Sequence, residues 1–196
     1  MSDSSKHIRS TFWCMLGAQT FIIFWSLVTS TSFLIATQTA TRWSGRLSLA
    51  IFSWLVFAHL RDARYKPLFL IFAAAHGIHL VELLLYQHLM GNLSSLVSPG
   101  IAGGVLAYAV IFAMPVIQRK RAWTILKVRH LLVMEYCYLF LVWIVFAMTY
   151  IPRILALPGR YGGRYVEFVA ILSWLIFLFI WKMVFALAGG RRTTGN

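Results

Sequence analysis

Residues 67–90 read PLFLIFAAAHGIHLVELLLYQHLM, a run in which Glu82 is the only residue of formal charge. A bilayer core is crossed by about 20 mostly apolar residues in a helix, so this stretch reads as a membrane span. Pro67 stands where proline is best tolerated, in a first helical turn. Inside the span, His76, His79, Glu82 and Tyr86 follow one another at spacings of 3, 3 and 4, which places them along one face of a helix. An ionised side chain at the bilayer centre costs roughly 2.5–3.5 kcal/mol on insertion scales. The stripe therefore needs a reason, either a cofactor or ion site in a bundle core or a polar seam that bonds neighbouring helices.

The rest of the chain agrees with a membrane setting. Of 196 residues, 60% are hydrophobic and 12% charged, against about 45–50% and about 25% in soluble domains. Such a composition cannot cover a water-facing surface, and it excludes a soluble enzyme, a disordered tail and a disulfide-stapled secreted module. Cys14 and Cys137 lie in apolar stretches and build no disulfide framework.

Six spans are expected, forming an all-α membrane protein, a six-transmembrane-helix bundle over residues 11–189 with short tails at 1–10 and 190–196. The first lies within Thr11 to Thr37, too long for a signal peptide's apolar core. The second has only Leu47 to Leu60 between Arg46 and Arg61 and becomes long enough if it starts near Trp43. The others run from Pro67 to about Met90, from Gly100 to Ile117, from Trp123 or His130 to Tyr150, and from Tyr165 to Leu187.

The net charge of +13 does not indicate nucleic acid, because the basic residues fall at the ends of apolar stretches. Twelve Lys and Arg lie on the side of the termini and five on the other, with Lys182 inside the sixth span, where its stem is expected to snorkel. The positive-inside rule then puts both termini in the cytoplasm. A multi-pass protein of the bacterial inner (cell) membrane is expected, with the lipid bilayer as its first partner.

Further candidate residues lie off the stripe. His130 stands near the start of the fifth span beside Lys127 and Arg129, and Glu135, five residues on, is turned away from its face. His59 sits at the end of the second span beside Arg61. There is no Gly-rich phosphate loop or other nucleotide-binding motif.

Three segments resemble a known family. SGRLSLAIF (Ser44 to Phe52), LFLIFAAAHGIH (Leu68 to His79) and KVRHLLVMEY (Lys127 to Tyr136) look like the second, third and fifth helices of the ferric-reductase-like transmembrane domain. That family includes the haem-binding membrane subunit of the bacterial periplasmic methionine sulfoxide reductase system. Ser44-Gly45-Arg46-Leu47-Ser48-Leu49 resembles its T-G-R-x-A-L pattern; Leu68, Leu70, Ala75 and His79 match its third helix; Lys127 and His130 match W-K-R-L-H, with the tryptophan displaced to Trp123. Tyr65 and Trp143 stand where many members carry the ligands of a further haem, so a two-haem relay is not expected.

The resemblance implies a membrane b-type haem protein that passes electrons between a separate donor, a reductase or a quinol, and an acceptor. His79 and His130 would be the axial ligands, with Arg61, Arg64 and Arg129 suited to the propionates. Helical rise gives a second ordering: His79 lies about 18 Å beyond Pro67, His76 about 13 Å, and His130 about 10 Å beyond Trp123. Depth thus favours His76 and the family pattern His79, and both stay open as metal ligands beside His130. Glu82 or Tyr86 would orient a ligand histidine. The alternatives are a non-enzymatic six-helix protein, a small transporter or an assembly subunit with a membrane partner, and a lipid-modifying enzyme with a His/Glu site.

Overall fold

A computed structural model describes residues 3–58, 66–92, 102–119, 128–155 and 164–191. Among these residues there are six helices and no strand: α1 (Asp3–Thr29), α2 (Phe33–Phe57), α3 (Pro67–Leu89), α4 (Ala102–Arg119), α5 (Val128–Leu155) and α6 (Tyr165–Arg191). Four helical stretches are long and apolar enough to cross a membrane: Arg9–Thr29, Pro67–Leu89, Val133–Leu155 and Tyr165–Phe185. Large apolar side chains such as Phe21, Val81 and Val166 stand outward on them, a surface that suits lipid and not water. The chain is a multi-pass integral membrane protein.

The first turn departs from the sequence reading. The uncharged stretch before Arg42 breaks at Ser30 to Ser32, so α1 stops at Thr29 and α2 begins ten residues before Trp43. The cause is the hydroxyl run Thr29-Ser30-Thr31-Ser32, whose side chains compete for backbone groups. Thr29 Oγ1 donates to the Trp25 carbonyl (2.8 Å), and extended Ser32 caps α2 by accepting the Ile35 N–H at 3.3 Å. Arg42 and Arg46, expected at a membrane face, consequently lie near the middle of α2. The guanidinium of Arg46 sits 4.5 Å from the Trp43 ring centroid, which shelters its charge.

α3 runs as expected. Pro67 occupies its first turn, and the helix ends in a Schellman motif: Gly91 at φ +70° lets its N–H reach the His88 carbonyl and that of Asn92 reach Gln87, both at 3.0 Å.

Two compact units divide the chain, Met1–Leu132 and Val133–Asn196. In the first, α2 packs along α3 in antiparallel register, α1 lies against both, and α4 against α3. Its core is Phe52, Leu55, Phe69, Phe72 and Ile111, with the Phe52 and Phe72 rings 5.7 Å apart. In the second, the rest of α5 pairs antiparallel with α6: Tyr136 meets Lys182, Phe140 and Trp143 meet Phe179, and Tyr150 meets Phe168. Trp143 Nε1 donates to the Leu175 carbonyl at 2.7 Å, so this indole keeps its polar end satisfied.

Candidate functional site

The middles of three helices meet. Gln19 is the central residue of the apolar stretch Arg9–Thr29, Gly45 of α2 and Ile78 of α3, and the polar side chains of the first unit gather at that level. The α3 stripe runs down its contact with α2. Gln38 Nε2 donates to the Tyr86 hydroxyl at 3.1 Å, Ser44 Oγ lies 3.0 Å from His79 Nδ1, and Ser48 Oγ lies 2.8 Å from His76 Nδ1. From α1, Gln19 Nε2 donates to Glu82 Oε1 at 2.8 Å. Each step along α2 is matched by a step back along α3, which makes the stripe a ladder about 15 Å long on helical rise.

The two histidines differ in their surroundings. His76 is buried, its ring 5.3 Å from Phe72 and 4.9 Å from Tyr108. His79, 5.6 Å from His76 between ring centroids, is only partly buried and lies on the α2 backbone at Gly45. A Cβ at position 45 would stand 3.1 Å from His79 Cε1, so the missing side chain of Gly45 is what admits the imidazole.

The hydroxyl of Ser44 is the hydrogen-bond partner of His79 Nδ1. Ser44 has one proton to give, and the Thr41 carbonyl lies 3.1 Å from its hydroxyl. With the Ser44 hydroxyl given to the Thr41 carbonyl, its oxygen is free to receive Nδ1–H from the His79 tautomer protonated there. Any metal held by His79 would then be bound through Nε2. A hydrogen bond on the other ring nitrogen is the usual device for orienting a ligand histidine. The orienting groups expected from the sequence were Glu82 or Tyr86; the serines take that place instead. Glu82 turns toward α1, where Gln19 bonds to it, and Tyr86 bonds to Gln38.

The remaining candidates are not assembled with these. His130 is exposed on α5. Arg61, like Arg64 and His59, lies outside the described residues, as does the side chain of Arg129. Among the described residues no group of three or more His, Cys, Asp or Glu side chains converges on a metal-sized site. For an axially ligated haem the test is narrower, since it needs two imidazoles and not a cluster. His79, with Nδ1 held and the ring seated on Gly45, fits as one of them.

Several interior polar side chains escaped the sequence reading. Gln19 is 2% exposed at the centre of α1, where its amide is a costly residue in an apolar run; that position was the available signal. Ser44 and Ser48 were read only as parts of a motif. In the second unit Glu135 is fully buried and interacts electrostatically with Lys182, whose ammonium sits 5.8 Å from the Tyr136 ring centroid. Lys182 is thus accompanied by Glu135 and Tyr136 within its own unit. No known protein family, curated protein or solved structure matches the chain.

Proposed function

We propose that this protein is a membrane b-type haem electron carrier, with His79 and His130 as axial ligands. The observation that carries the reading is the Ser44–His79 pair. A serine hydroxyl 3.0 Å from Nδ1 would orient the imidazole and leave Nε2 as the nitrogen for a metal in the Nδ1-protonated tautomer. The resemblance of Ser44–Phe52, Leu68–His79 and Lys127–Tyr136 to the ferric-reductase-like domain supports it, since these segments carry Ser44, Gly45, His79 and His130. His79 is preferred to His76 because Phe72, Tyr108 and Ser48 already enclose the His76 ring. His130 falls in the same compact unit, Met1–Leu132.

When bound, such a haem supplies a one-electron ferric/ferrous couple. The chain's own residues hold the imidazole, Ser44 at its Nδ1 and Gly45 beneath the ring. Arg61 and Arg129 would receive the propionates. Without a nucleotide-binding loop, electrons come from a separate reductase or a quinol. We place six spans in a bacterial inner membrane with both termini cytoplasmic, on the basic asymmetry of the loops.

Detergent-purified protein from haem-supplied cells is expected to be coloured, with bands that sharpen when dithionite reduces it and do not respond to NADH alone. Colourless protein would overturn the reading. The ladder itself favours a second one: each polar head on α3 already meets a partner on α2 or α1. In that case the stripe is a packing seam or a polar path of a non-enzymatic membrane protein.

A further inference from the structure

The junction of Gln19 and Glu82 is short of one hydrogen. Gln19 Nε2 donates to Glu82 Oε1 at 2.8 Å. The other two oxygens, Gln19 Oε1 and Glu82 Oε2, are buried and have no hydrogen-bond partner among the described residues. Both residues are more than nine-tenths buried, at 2% and 8% exposure. An ionised carboxylate has acceptors only and can satisfy neither oxygen, whereas a carboxylic acid has one donor to give. Among the described residues, the groups facing Glu82 are Gln19 of α1 and Ser44 of α2, neither of them basic, and Ser44 gives its hydrogen to the Thr41 carbonyl. Of the α2 arginines, Arg46 lies over Trp43, and Arg42 is not among those facing groups. On α3 itself His79 is bonded to Ser44 and Tyr86 to Gln38, while Tyr108 of α4 lies against His76. The positions one turn from Gln19 on α1 are Met15, Leu16, Ile22 and Ile23, none of which titrates.

We propose that Glu82 binds a proton at neutral pH and, as a carboxylic acid, closes a reciprocal pair with the Gln19 carboxamide that ties α1 to α3. Oε2–H of the acid donates to Gln19 Oε1, and Gln19 Nε2 donates to Oε1 of the acid. Each head then gives one hydrogen bond and takes one, so a single proton removes both orphaned oxygens. The acid is also neutral, where a lone carboxylate in hydrocarbon is costly. Exchanging the oxygen and nitrogen of the Gln19 amide leaves the count unchanged, because the pair still needs one hydrogen from the acid. The bound proton makes the tie pH-dependent. In the unfolded chain Glu82 ionises in the ordinary carboxylate range, near about pH 4.3, while the folded chain keeps the proton to higher pH. The stability this proton contributes is therefore complete in acid and falls as pH rises above that range. Nothing in the pair involves a haem, so it can be tested in protein with or without one.

The test is the infrared spectrum of the purified full chain in lipid vesicles at neutral pH, wild type minus Glu82→Gln. The variant replaces the acid by an amide of equal size that can keep a reciprocal pair with Gln19, so it is expected to fold. The wild type is expected to show the carbonyl stretch of a protonated carboxylic acid, above the amide I band and shifted down in heavy water, and Glu82→Gln is expected to lack it. Gln19→Leu should keep the band and move it up in frequency, because the acid carbonyl loses its donor. In detergent unfolding, the wild-type midpoint should fall relative to that of Glu82→Gln as pH is raised from about 5 to about 8. No carboxylic acid band in the wild type, the result expected of a carboxylate bridged by buried water, would overturn the proposal without recourse to any variant. A band that survives in Glu82→Gln would also overturn it, by placing the acid on another carboxyl such as Glu135. So would a band that Gln19→Leu leaves unmoved, since the acid would then have no tie to α1.

Discussion

The two halves of this chain pair antiparallel helices by different means. Along α2 and α3 the pairing is written in hydrogen bonds between short hydroxyls and long polar side chains, Ser44 with His79 and Ser48 with His76. Along α5 and α6 rings predominate, Trp143 against Phe179 at 4.9 Å, Phe140 against Phe179 at 6.0 Å and Tyr150 against Phe168 at 6.2 Å, with one hydrogen bond from Trp143 to the Leu175 carbonyl; α2 and α3 share the Phe52–Phe72 contact beside their hydrogen bonds. Ring contacts gain from area and shape and tolerate small shifts. Hydrogen bonds in hydrocarbon depend on a fixed register, because a displaced partner leaves an orphan. The difference teaches where this molecule has to be exact in position, at the middle of α3, and that is where its chemistry is read.

Substitutions can break or sharpen this contrast. The largest effect is expected from Phe72→Ala, because that ring is fully buried against Phe52 and His76. A loss of about 3–5 kcal/mol is expected, read as a lower midpoint in detergent unfolding. Next is Gly45→Val. Its Cβ alone would press to 3.1 Å from His79, and overpacking of this kind costs about 1–3 kcal/mol. Gly45→Ala should be milder, the methyl's crowding being offset in part by better helix propensity.

Ser48→Ala is expected to cost about 1–3 kcal/mol, the penalty of a buried His76 nitrogen left without its 2.8 Å partner. Trp143→Phe keeps the ring and removes only the bond to the Leu175 carbonyl, so about 0.5–1.5 kcal/mol is expected. If Trp143→Phe proved the costlier of these two, the assignment of positional demand to the first unit would be wrong.

Much of this architecture was legible in the sequence. Apolar length and Pro67 located α3 almost to the residue, and the 3, 3, 4 spacing put His76, His79, Glu82 and Tyr86 on one face. What was not legible depends on contacts between helices. Nothing in the numbering of α2 says that Ser44 will lie opposite His79, since register is fixed by packing in three dimensions. Gln19 was hidden for the same reason, its role resting on a partner 63 residues away. The break at Ser30 to Ser32 was present as a hydroxyl run, but an uncharged stretch of that length also reads as one helix plus a loop of any placement.

The central claim is that His79 is a haem ligand and His76 a buried neighbour. The most direct measurement is the visible spectrum, oxidised and reduced, of protein carrying His79→Ala beside protein carrying His76→Ala. The expected result is that His79→Ala removes the six-coordinate haem bands and His76→Ala keeps them, with at most a small shift through its ring contact with His79. Bands that survive His79→Ala and vanish in His76→Ala, or no bands in the unaltered protein, would contradict it.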